Sequence, residues 1–437
     1  MDEEDSSRRM KFSVKNLGCK VNDYEAESIA RQLEERGYER VPFEEPADAS
    51  LIFTCAVTNT AAAKSRQMAH RARKLNPDCV IVAAGCYAQI AGDKLPDAEL
   101  VIGSAHKKEI PDALDEYFRD GMRIVRVDNL EHASFDEMPI DRFEHQTRAY
   151  LKVQDGCNQF CSYCVIPYAR GRERSMDPDH VILEAKRIAK SHHEIVLAGI
   201  HTGRYGREYH MTLADLIRRI LREVPELSRL RISSIEVTEL DDPFLDLLEE
   251  NPRIARHLHI PLQSGSDTVL KRMNRPYDTA FYYAKIEEIR RRIPDISISC
   301  DLMTGFPGET DEEAEETMQF LKKCRFSFLH VFPFSAREGT KAAAMKDQVP
   351  MEVRRKRAAA CIALSEQLYD SYKASWIGKD AEILFEEHTE TETQGHTSEY
   401  LPVSVEGLHP RGELCTITIA ELRDHQLCGV LKGREIR

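Results

Sequence analysis

The stretch Asp155-Gly-Cys-Asn-Gln-Phe-Cys-Ser-Tyr-Cys-Val-Ile-Pro-Tyr-Ala-Arg-Gly171 contains three cysteines in a C-x3-C-x2-C arrangement. They are Cys157, Cys161 and Cys164, and an aromatic residue, Tyr163, stands directly before the last of them. Cysteine thiolates hold iron–sulfur clusters in proteins, and three within one short loop can bind one face of a cubane. Because only three ligands are local, we expect one iron to stay open for a ligand that the protein does not supply.

A structural zinc site is the main alternative for these three cysteines. Zinc sites usually combine paired C-x2-C motifs or Cys and His ligands, with a fourth ligand close in sequence. No histidine near the stretch completes such a set. A chance group of buried free thiols is a weaker alternative, so the sequence favours an iron–sulfur cluster.

Length and composition describe a globular chain with more than one domain. The 437 residues suffice for two or three hydrophobic cores, and 42% of them are hydrophobic. The longest apolar runs fall far short of a membrane span, and the acidic N-terminus is unlike a signal peptide. The sequence therefore predicts a cytoplasmic protein with no membrane partner, whose twelve cysteines are metal ligands and buried thiols rather than disulfides.

The charge balance does not by itself indicate a nucleic-acid partner. The formal net charge is −13, and an acidic chain gains no general attraction to phosphate. Basic residues nevertheless cluster within 66–74, 170–174, 290–292 and 354–357. Each cluster taken alone is more typical of a solvated helix face than of an RNA-binding surface, so composition leaves the partner open.

Strands alternate with helices over residues 10–120, which is the pattern of an open parallel sheet covered on both faces. The predicted strands are 11–19, 49–55, 79–84 and 100–102. We expect the first helix to begin with Asn22 as its N-cap and Glu25 at the capping-box position.

Three cysteines, Cys19, Cys55 and Cys86, stand at the carboxyl ends of three of these strands. In open α/β sheets this edge is where ligands bind, so the three could converge on one point. Scattered cysteines without such a context are more often core thiols, but their placement at strand ends reverses that preference. Cys79 begins its strand at the opposite edge and is excluded.

The remaining chain is predicted to form a linker and two further domains. Residues 121–146 lack periodicity and are interpreted as the linker. Strand–helix alternation resumes over 147–376 and predicts a partial (β/α)6 barrel, with a connecting helix and a site at the carboxyl ends of the strands. Residues 377–437 change to short alternating strands, which predict a small antiparallel β-barrel. The predicted fold class is therefore α/β.

The cysteine loop with its aromatic residue resembles the radical S-adenosylmethionine (SAM) signature. The resemblance implies that the amino and carboxylate groups of methionine chelate the open iron. Reduction then cleaves SAM to a 5′-deoxyadenosyl radical, which abstracts hydrogen from an unreactive C–H bond. The protein positions these cofactors and excludes water, so no general base or nucleophile is needed.

The resemblance extends over nearly the whole chain. Gly18-Cys19, Thr54-Cys55 and Gly85-Cys86, followed by the cysteine loop and the C-terminal barrel, are similar to the methylthiotransferases with their TRAM domain. In that family the N-terminal cysteines hold a second 4Fe-4S cluster, whose added sulfur is inserted into a C–H bond and methylated by another SAM molecule. The resemblance implies two 4Fe-4S clusters, SAM, and an external one-electron donor such as flavodoxin or ferredoxin.

Shorter strings resemble the family members that act on N6-threonylcarbamoyladenosine in tRNA. They lie at 17–22, 54–60, 64–67 and 198–203. Members acting on isopentenyladenosine usually read G-Q-N after the second barrel strand, where this chain has Gly199-Ile-His-Thr202. The implied substrate is the modified adenosine at position 37, in the anticodon stem-loop of tRNA, which would be methylthiolated at C2.

The resemblance also suggests contacts to SAM. Tyr163 is expected to pack near the adenine or to shield the cluster, and Gly199 to let the backbone approach the methionine amino group. The strand-end residues Ser234, Glu236 and Gln263 are expected to contact ribose and carboxylate groups. Each of these residues can equally be a strand-end cap or a turn residue.

Arg170 and Arg172 follow the cysteine loop and are the candidate substrate contacts. An arginine presents a bidentate fork to a carboxylate or phosphate, and a loop base in RNA can be splayed out to meet it. The alternative, surface charges beside the loop, carries equal weight.

Two other functions stay open at this point. One is methylthiolation of isopentenyladenosine in tRNA. The other is a non-catalytic iron–sulfur redox sensor that binds RNA, which would need the clusters but not SAM.

The C-terminal barrel has an uneven charge distribution. Residues 381–410 hold seven acidic residues and no Lys or Arg. Because phosphate attraction dominates affinity for nucleic acids, this half should not face the tRNA backbone. We expect tRNA to meet the clusters at 354–357 and 66–74, together with the later basic residues Arg411, Arg423, Lys432, Arg434 and Arg437.

Overall fold

A computed structural model describes residues 9–56, 59–95, 97–140, 143 and 146–432, with the backbone alone for 59–62. The chain divides into two compact units. The first unit comprises the described parts of Met1–Ile140, Gln154–Met176 and Ser335–Thr340, and the second comprises those of Asp141–Val153, Asp177–Phe334 and Lys341–Arg437. The cysteine loop thus belongs with the N-terminal sheet, a grouping that differs from the predicted domain order.

The first unit is built on a six-stranded parallel sheet of order β2-β1-β3-β4-β5-β6. Its elements are β1 (Lys11–Asn16), α1 (Lys20–Glu35), β2 (Glu39–Arg40), β3 (Ala49–Thr54), α2 (Asn59–Leu75), β4 (Val80–Gly85), α3 (Cys86–Ala91), β5 (Leu100–Ile102), α4 (Ile110–Asp120) and β6 (Ile124–Arg126). Every residue of β3 and β4 is buried, as expected for parallel strands covered on both faces.

The sequence did not predict two strands of this sheet. β2 has only two residues, and β6 lies inside the segment that was interpreted as a linker. The linker prediction is wrong for this part, since β6 pairs with β5 and the apolar side chains of Leu130 and Met138 are buried. In addition, Ser28 of α1 donates a hydrogen bond to the carbonyl of Pro139. These contacts hold the segment to the domain before it.

The middle of the chain supplies β7 (Arg148–Lys152), β8 (Gln154–Asp155), α5 (Ile166–Arg170), β9 (Arg174–Ser175), α6 (Pro178–Ile188), β10 (Glu194–Ala198), α7 (Leu213–Glu223), β11 (Arg229–Ile232), α8 (Asp242–Glu250), β12 (His257–His259), α9 (Asp267–Arg272), α10 (Thr279–Arg292), β13 (Ser297–Thr304), α11 (Asp311–Cys324), β14 (Phe328–Pro333) and α12 (Met351–Ala374). Strands β7, β10 and β11 form one parallel sheet, and β12, β13 and β14 form another. A parallel bridge between Leu230 and Ile254 continues the order from β11 to the segment before β12. The predicted partial (β/α)6 barrel is confirmed.

The C-terminal part is a closed barrel of order β15-β16-β17-β19-β18. Its strands are β15 (Asp380–His388), β16 (Glu392–Thr397), β17 (Pro402–Glu406), β18 (Leu414–Arg423) and β19 (Gln426–Leu431). The predicted barrel is confirmed, but β16 was missed because its sequence contains no large apolar residue. Gly395 is required there, since a Cβ would lie 2.0 Å from the carbonyl oxygen of Leu384 on the neighbouring strand.

Helix α12 is the longest described helix, with 24 residues, and it leads into the C-terminal barrel. It carries charged residues along its length. Neither this helix nor another in the described ranges is apolar over a stretch long enough to cross a membrane.

Candidate metal centre

The loop between β8 and α5 presents its three cysteines, Cys157, Cys161 and Cys164, as partly exposed thiols outside any disulfide. Two backbone amides point at the sulfurs: the amide of Gln159 lies 3.4 Å from Cys157 Sγ, and that of Ile166 lies 3.5 Å from Cys164 Sγ. Hydrogen bonds to sulfur are one of the ways in which proteins adjust iron–sulfur clusters. The donor set therefore fits such a cluster.

Two glycines bring the ends of this loop together. Gly156 has φ +72°, and a Cβ there would lie 1.9 Å from the carbonyl oxygen of Arg172. Gly171 has φ +76°, and a Cβ there would lie 2.6 Å from the carbonyl oxygen of Leu130. The amide of Cys157 donates to the carbonyl of Gly171 at 3.1 Å. A side chain at Gly156 would push these ends apart, and one at Gly171 would displace the backbone at Leu130.

Aromatic side chains and one arginine flank the cysteines. Phe160, between the first two cysteines, has φ +49°, a conformation that is uncommon for a bulky residue. Its ring meets the edge of Tyr168 at a centroid distance of 5.7 Å, and the guanidinium of Arg172 lies 5.1 Å over it. Arg172 is exposed and Tyr163 is half-buried. Arg172 thus has the accessibility that a substrate contact needs.

Cys19, Cys55 and Cys86 follow three adjacent strands of the N-terminal sheet, β1, β3 and β4. The two residues that precede Cys55 and Cys86, Thr54 and Gly85, are paired in register. Cys19 is exposed, Cys55 is half-buried and Cys86 is buried. The sheet therefore brings the three cysteines to a single edge.

Cys79 differs from these three cysteines. It lies just before β4, at the amino end of that strand, and is buried. Its thiol is 3.3 Å from the hydroxyl of Ser50, and burial raises its pKa. It is therefore a packed thiol at the opposite edge, as the sequence predicts.

The Gly-Cys pairs have a steric cause. Gly85 has φ +94°, and a Cβ there would lie 2.8 Å from the carbonyl oxygen of Thr54. At Gly18, a Cβ would overlap the side chain of Asn22. Glycine at both positions lets the chain turn tightly from each strand into a helix that begins at or beside a cysteine.

In the part of the chain that the structure describes, no three His, Cys, Asp or Glu side chains are arranged to hold one metal ion. A zinc site needs its four ligands around one centre. A cubane cluster binds each cysteine at a different iron, so its ligand sulfurs stand further apart. For the loop cysteines, the three sulfurs and the amides that point at two of them fit a cluster.

Arg170, the last residue of α5, is completely buried beside Cys86. Its Nε donates to Cys86 Sγ at 3.2 Å, its Nη1 donates to Glu25 at 2.7 Å, and its Nη2 donates to Asn22. Burial disfavours the charge, but Cys86, Glu25 and Asp155 hold the pKa of Arg170 well above its usual value. This corrects the expectation that Arg170 contacts the substrate, because its donors are already bound inside the unit.

Two further cations complete a buried charge network around Arg170. Lys107 Nζ lies 2.5 Å from the second carboxylate oxygen of Glu25, and both side chains are completely buried. Arg174 Nη2 lies 3.2 Å from Asp155 Oδ2, which is itself 3.5 Å from Arg170 Nη1. Glu25 and Asp155 thus each contact two of these cations, and Cys86 accepts from Arg170.

Sequence reasoning missed the roles of Asn22, Glu25 and Lys107. Helix α1 begins at Lys20 after Cys19, so the predicted N-cap at Asn22 and capping box at Glu25 are wrong. Their side chains bind Arg170 instead of the first amides of the helix. In the sequence, Asn22 and Glu25 are recognisable as two polar residues one helical turn apart. Nothing in the sequence around Lys107 indicates that its side chain is buried in an ion pair.

In the second unit, four candidate SAM contacts lie just past three neighbouring strands. Gly199 follows β10, Ser234 and Glu236 follow β11, and Gln263 follows β12. Arg275 Nη2 donates to Glu236, so this carboxylate already has an internal cation. The carboxyl edge of the barrel gathers the predicted residues of this unit.

Gln263 has a buried side-chain oxygen that could accept a hydrogen bond from a cofactor. It is 8% exposed and has φ +70°, a region that favours glycine. Its backbone amide donates to the backbone carbonyl of Asp301 at 2.8 Å. Its side-chain oxygen, Oε1, has no hydrogen-bond partner among the described residues. An unsatisfied buried oxygen costs about 1–3 kcal/mol, and a bound ligand would remove that cost.

The basic cluster at 354–357 is only partly available to tRNA. Arg354 is buried and donates to the carbonyls of Val349 and Phe334. Arg357 pairs with Glu309 and Asp311 at 2.8 and 2.7 Å. The expectation for these two arginines is wrong, while Arg355 and Lys356 are exposed. Arg434 and Arg437 lie outside the described residues.

Comparison with known proteins first defines the class. The chain matches the Radical SAM superfamily over residues 151–321 and Uncharacterized protein family UPF0004 over residues 11–103. The solved structure of the radical S-adenosylmethionine methyltransferase TsrM from Kitasatospora setae superposes with a TM-score of 0.57. That match covers 77% of each chain at 15% identity, and it supports a radical-SAM fold.

Two curated relatives narrow the class further. Threonylcarbamoyladenosine tRNA methylthiotransferase MtaB of Bacillus subtilis is 42% identical over 402 residues, which are 90% of this chain and 89% of that protein. tRNA-2-methylthio-N(6)-dimethylallyladenosine synthase of Clostridium botulinum is 30% identical over 434 residues, 96% of each. The chain belongs to the radical-SAM methylthiotransferase family. Membership implies SAM and a 4Fe-4S cluster as cofactors.

Proposed function

We propose that this chain transfers a methylthio group to C2 of N6-threonylcarbamoyladenosine at position 37 of tRNA, with SAM as radical source and methyl donor. The observation that carries the proposal is the occurrence of two separate cysteine sets in one compact unit. The identity of 42% to the B. subtilis enzyme, against 30% to the C. botulinum synthase, supports the threonylcarbamoyl substrate over isopentenyladenosine.

The two cysteine sets have different roles in this proposal. Residues 157–164 hold the cluster that meets SAM, and Cys19, Cys55 and Cys86 hold a second 4Fe-4S cluster. When bound, these groups supply the radical and the sulfur of the reaction. The protein contributes the closed loop between Gly156 and Gly171 and the sheet edge that gathers the second set.

The proposed SAM contacts are Tyr163, Gly199, Ser234, Glu236 and Gln263. Among them, Gln263 has the best support, because its buried Oε1 is available to a donor of the cofactor. Arg172 is the proposed substrate contact. Its exposed guanidinium can pair with the threonyl carboxylate or with a phosphate. A cation–π contact with the ring of Phe160 holds the guanidinium in place.

The proposed partners are the anticodon stem-loop of tRNA and an external one-electron donor such as flavodoxin or ferredoxin. Incubation of reconstituted protein with tRNA, SAM and dithionite under anaerobic conditions, followed by mass spectrometry of the nucleosides, tests the proposal. The methylthio group should appear only on tRNA that carries the threonylcarbamoyl group. If the methylthio group instead appears only on tRNA that carries the isopentenyl group, isopentenyladenosine is the substrate. Absence of 5′-deoxyadenosine would favour the redox sensor.

Iron content tests the second cluster separately. A variant with Cys157, Cys161 and Cys164 replaced by Ala should retain about four iron atoms per chain after reconstitution. A variant with Cys19, Cys55 and Cys86 replaced by Ala should also retain about four, held by the other set. Loss of all iron from the first variant would contradict the second cluster.

A further inference from the structure

We propose that Arg170 is a positioning residue for the second cluster, whose charge it stabilises through Cys86 and whose ligands it fixes relative to the cysteine loop. This inference rests on the proposed second cluster. It gives a role to a buried arginine that the sequence assigned to substrate binding.

The first support is the geometry of the guanidinium. Its Nε lies 3.2 Å from Cys86 Sγ, while Nη1 and Nη2 bind Glu25 and Asn22. Both partners lie on α1, the helix that begins directly after Cys19. One planar side chain therefore contacts one cysteine of the second set and the helix that another cysteine precedes.

The second support is the electrostatic setting of Arg170. Its side chain is completely buried and lies against the carboxylates of Glu25 and Asp155 and the sulfur of Cys86. A cation inside a protein is costly unless anions accompany it. A cluster bound by thiolates would add negative charge at Cys86, directly beside the guanidinium.

The third support is the packing of α5 on the second cysteine set. Val165 and Ala169 form one buried apolar group with Cys86 and Ala56. The hydroxyl of Ser104 donates to the carbonyl of Ala169 at 2.6 Å. The segment that follows Cys164 is thus seated directly against Cys86, and Arg170 at its end ties the two cysteine sets together.

The test uses the full chain with Cys157, Cys161 and Cys164 replaced by Ala, so that only the second cluster contributes to the spectrum. Arg170→Gln removes the donor and its charge, which makes the reduced cluster less favourable. We expect the ratio of reduced to oxidised cluster at a fixed potential to fall about tenfold, which is ~59 mV for one electron. Arg170→Lys, which retains the charge, should shift the ratio less.

Arg174→Gln is the matched control. Arg174 is buried in the same network, but its described bonds go to Asp155 and to the carbonyls of Arg170 and Arg172. A merely structural role for Arg170 predicts that both Gln variants behave alike. Equal shifts, or no shift for Arg170→Gln, would overturn the inference, whereas absence of iron in the background chain would overturn the second cluster itself.

A second measurement does not depend on the folding of the Gln variant. The same background chain, labelled with 15N-arginine, should show a 15N hyperfine coupling in pulsed EPR of the reduced cluster. That coupling should weaken strongly in Arg170→Lys. An unchanged coupling would place the guanidinium away from the cluster and refute the inference.

Discussion

Each compact unit contains a buried ion network, and the two networks differ in the acceptors that their arginines reach. In the first unit, Arg170 and its neighbours lie at the carboxyl edge of the sheet and donate to Cys86. In the second unit, Glu194 lies at the start of β10 and binds Arg229 and Arg231 of β11 at 3.0 and 2.6 Å. All three of these side chains are almost completely buried.

In the second unit, the bonds of the two arginines end on acceptors of the protein. Arg229 also donates to the side chain and carbonyl of Glu382, and Arg231 donates to the carbonyls of Thr397 and Ser398. These acceptors belong to the C-terminal barrel. The network therefore fastens the central barrel to the C-terminal one.

Buried charge thus has two separate uses in this molecule. A network whose described bonds end on carboxylates and carbonyls of the protein contributes to the fold, and its loss should appear in the free energy of unfolding. A network whose central arginine also donates to a sulfur of the proposed second cluster should act on that cluster, and its loss should appear in the properties of the cluster.

The largest effect is expected at Cys86. Cys86→Ala should abolish the methylthio product while 5′-deoxyadenosine is still formed, because the loop at 157–164 is unchanged. Nucleoside mass spectrometry and quantification of 5′-deoxyadenosine in the same reaction measure both. Cys79→Ala, at the other end of β4, is the control and should retain product. Product from Cys86→Ala would show that the sheet edge is not needed.

A large effect on stability is expected at Glu194. Glu194→Gln leaves Arg229 and Arg231 without their buried counter-ion, which should lower the free energy of unfolding by about 3–5 kcal/mol. Urea unfolding followed by the fluorescence of Trp376 reports on this unit, since it is the single tryptophan and packs in the C-terminal barrel. The exposed Glu249→Gln should cost less than about 1 kcal/mol. Similar losses in both variants would contradict the comparison.

The pH dependence of stability should follow the same carboxylate. Burial alone would raise the pKa of Glu194, but Arg231 and Arg229 lower it to about 2. Because an unfolded glutamate has a pKa of about 4.3, this group contributes about 3 kcal/mol that is fully present above that pH and is lost as the pH falls towards 2. The stability difference between the natural chain and Glu194→Gln should therefore shrink over this window. If the difference in the free energy of unfolding between the two chains stays constant over this pH range, the destabilisation comes from packing and not from the charge of Glu194.

A smaller effect is expected at Arg172, which neighbours the first network but is exposed. Arg172→Gln should weaken tRNA binding by about threefold to tenfold and reduce its salt dependence by about one charge. Fluorescence anisotropy with a labelled anticodon stem-loop at several salt concentrations measures this. Arg119→Gln, an exposed arginine on α4, is the control. Equal effects of both substitutions would indicate a general loss of charge.

The sequence was sufficient to predict those elements whose local residue pattern agrees with the structure that they adopt in the fold. Buried strands such as β3 and β4, and the cysteine spacing at 157–164, follow from short-range rules and could be predicted. β16 could not, because its polar sequence becomes a strand only by pairing with β15 and β17. The network of Glu25, Lys107 and Arg170 joins distant positions, so no local pattern indicates it. The burial of Arg354 likewise depends on contacts that its own segment does not show.

The partnership of Glu25 and Arg170 also affects synthesis of the chain. The two residues are 145 positions apart, so Glu25 leaves the ribosome on the order of ten seconds before Arg170 at usual elongation rates. The first unit also includes Ser335–Thr340, which emerge later still. The N-terminal sheet therefore cannot form all of its buried contacts as it leaves the ribosome, because Glu25 lacks its partner Arg170 until the middle of the chain has been made. A truncated N-terminal fragment would expose this unfinished surface to chaperones and proteases.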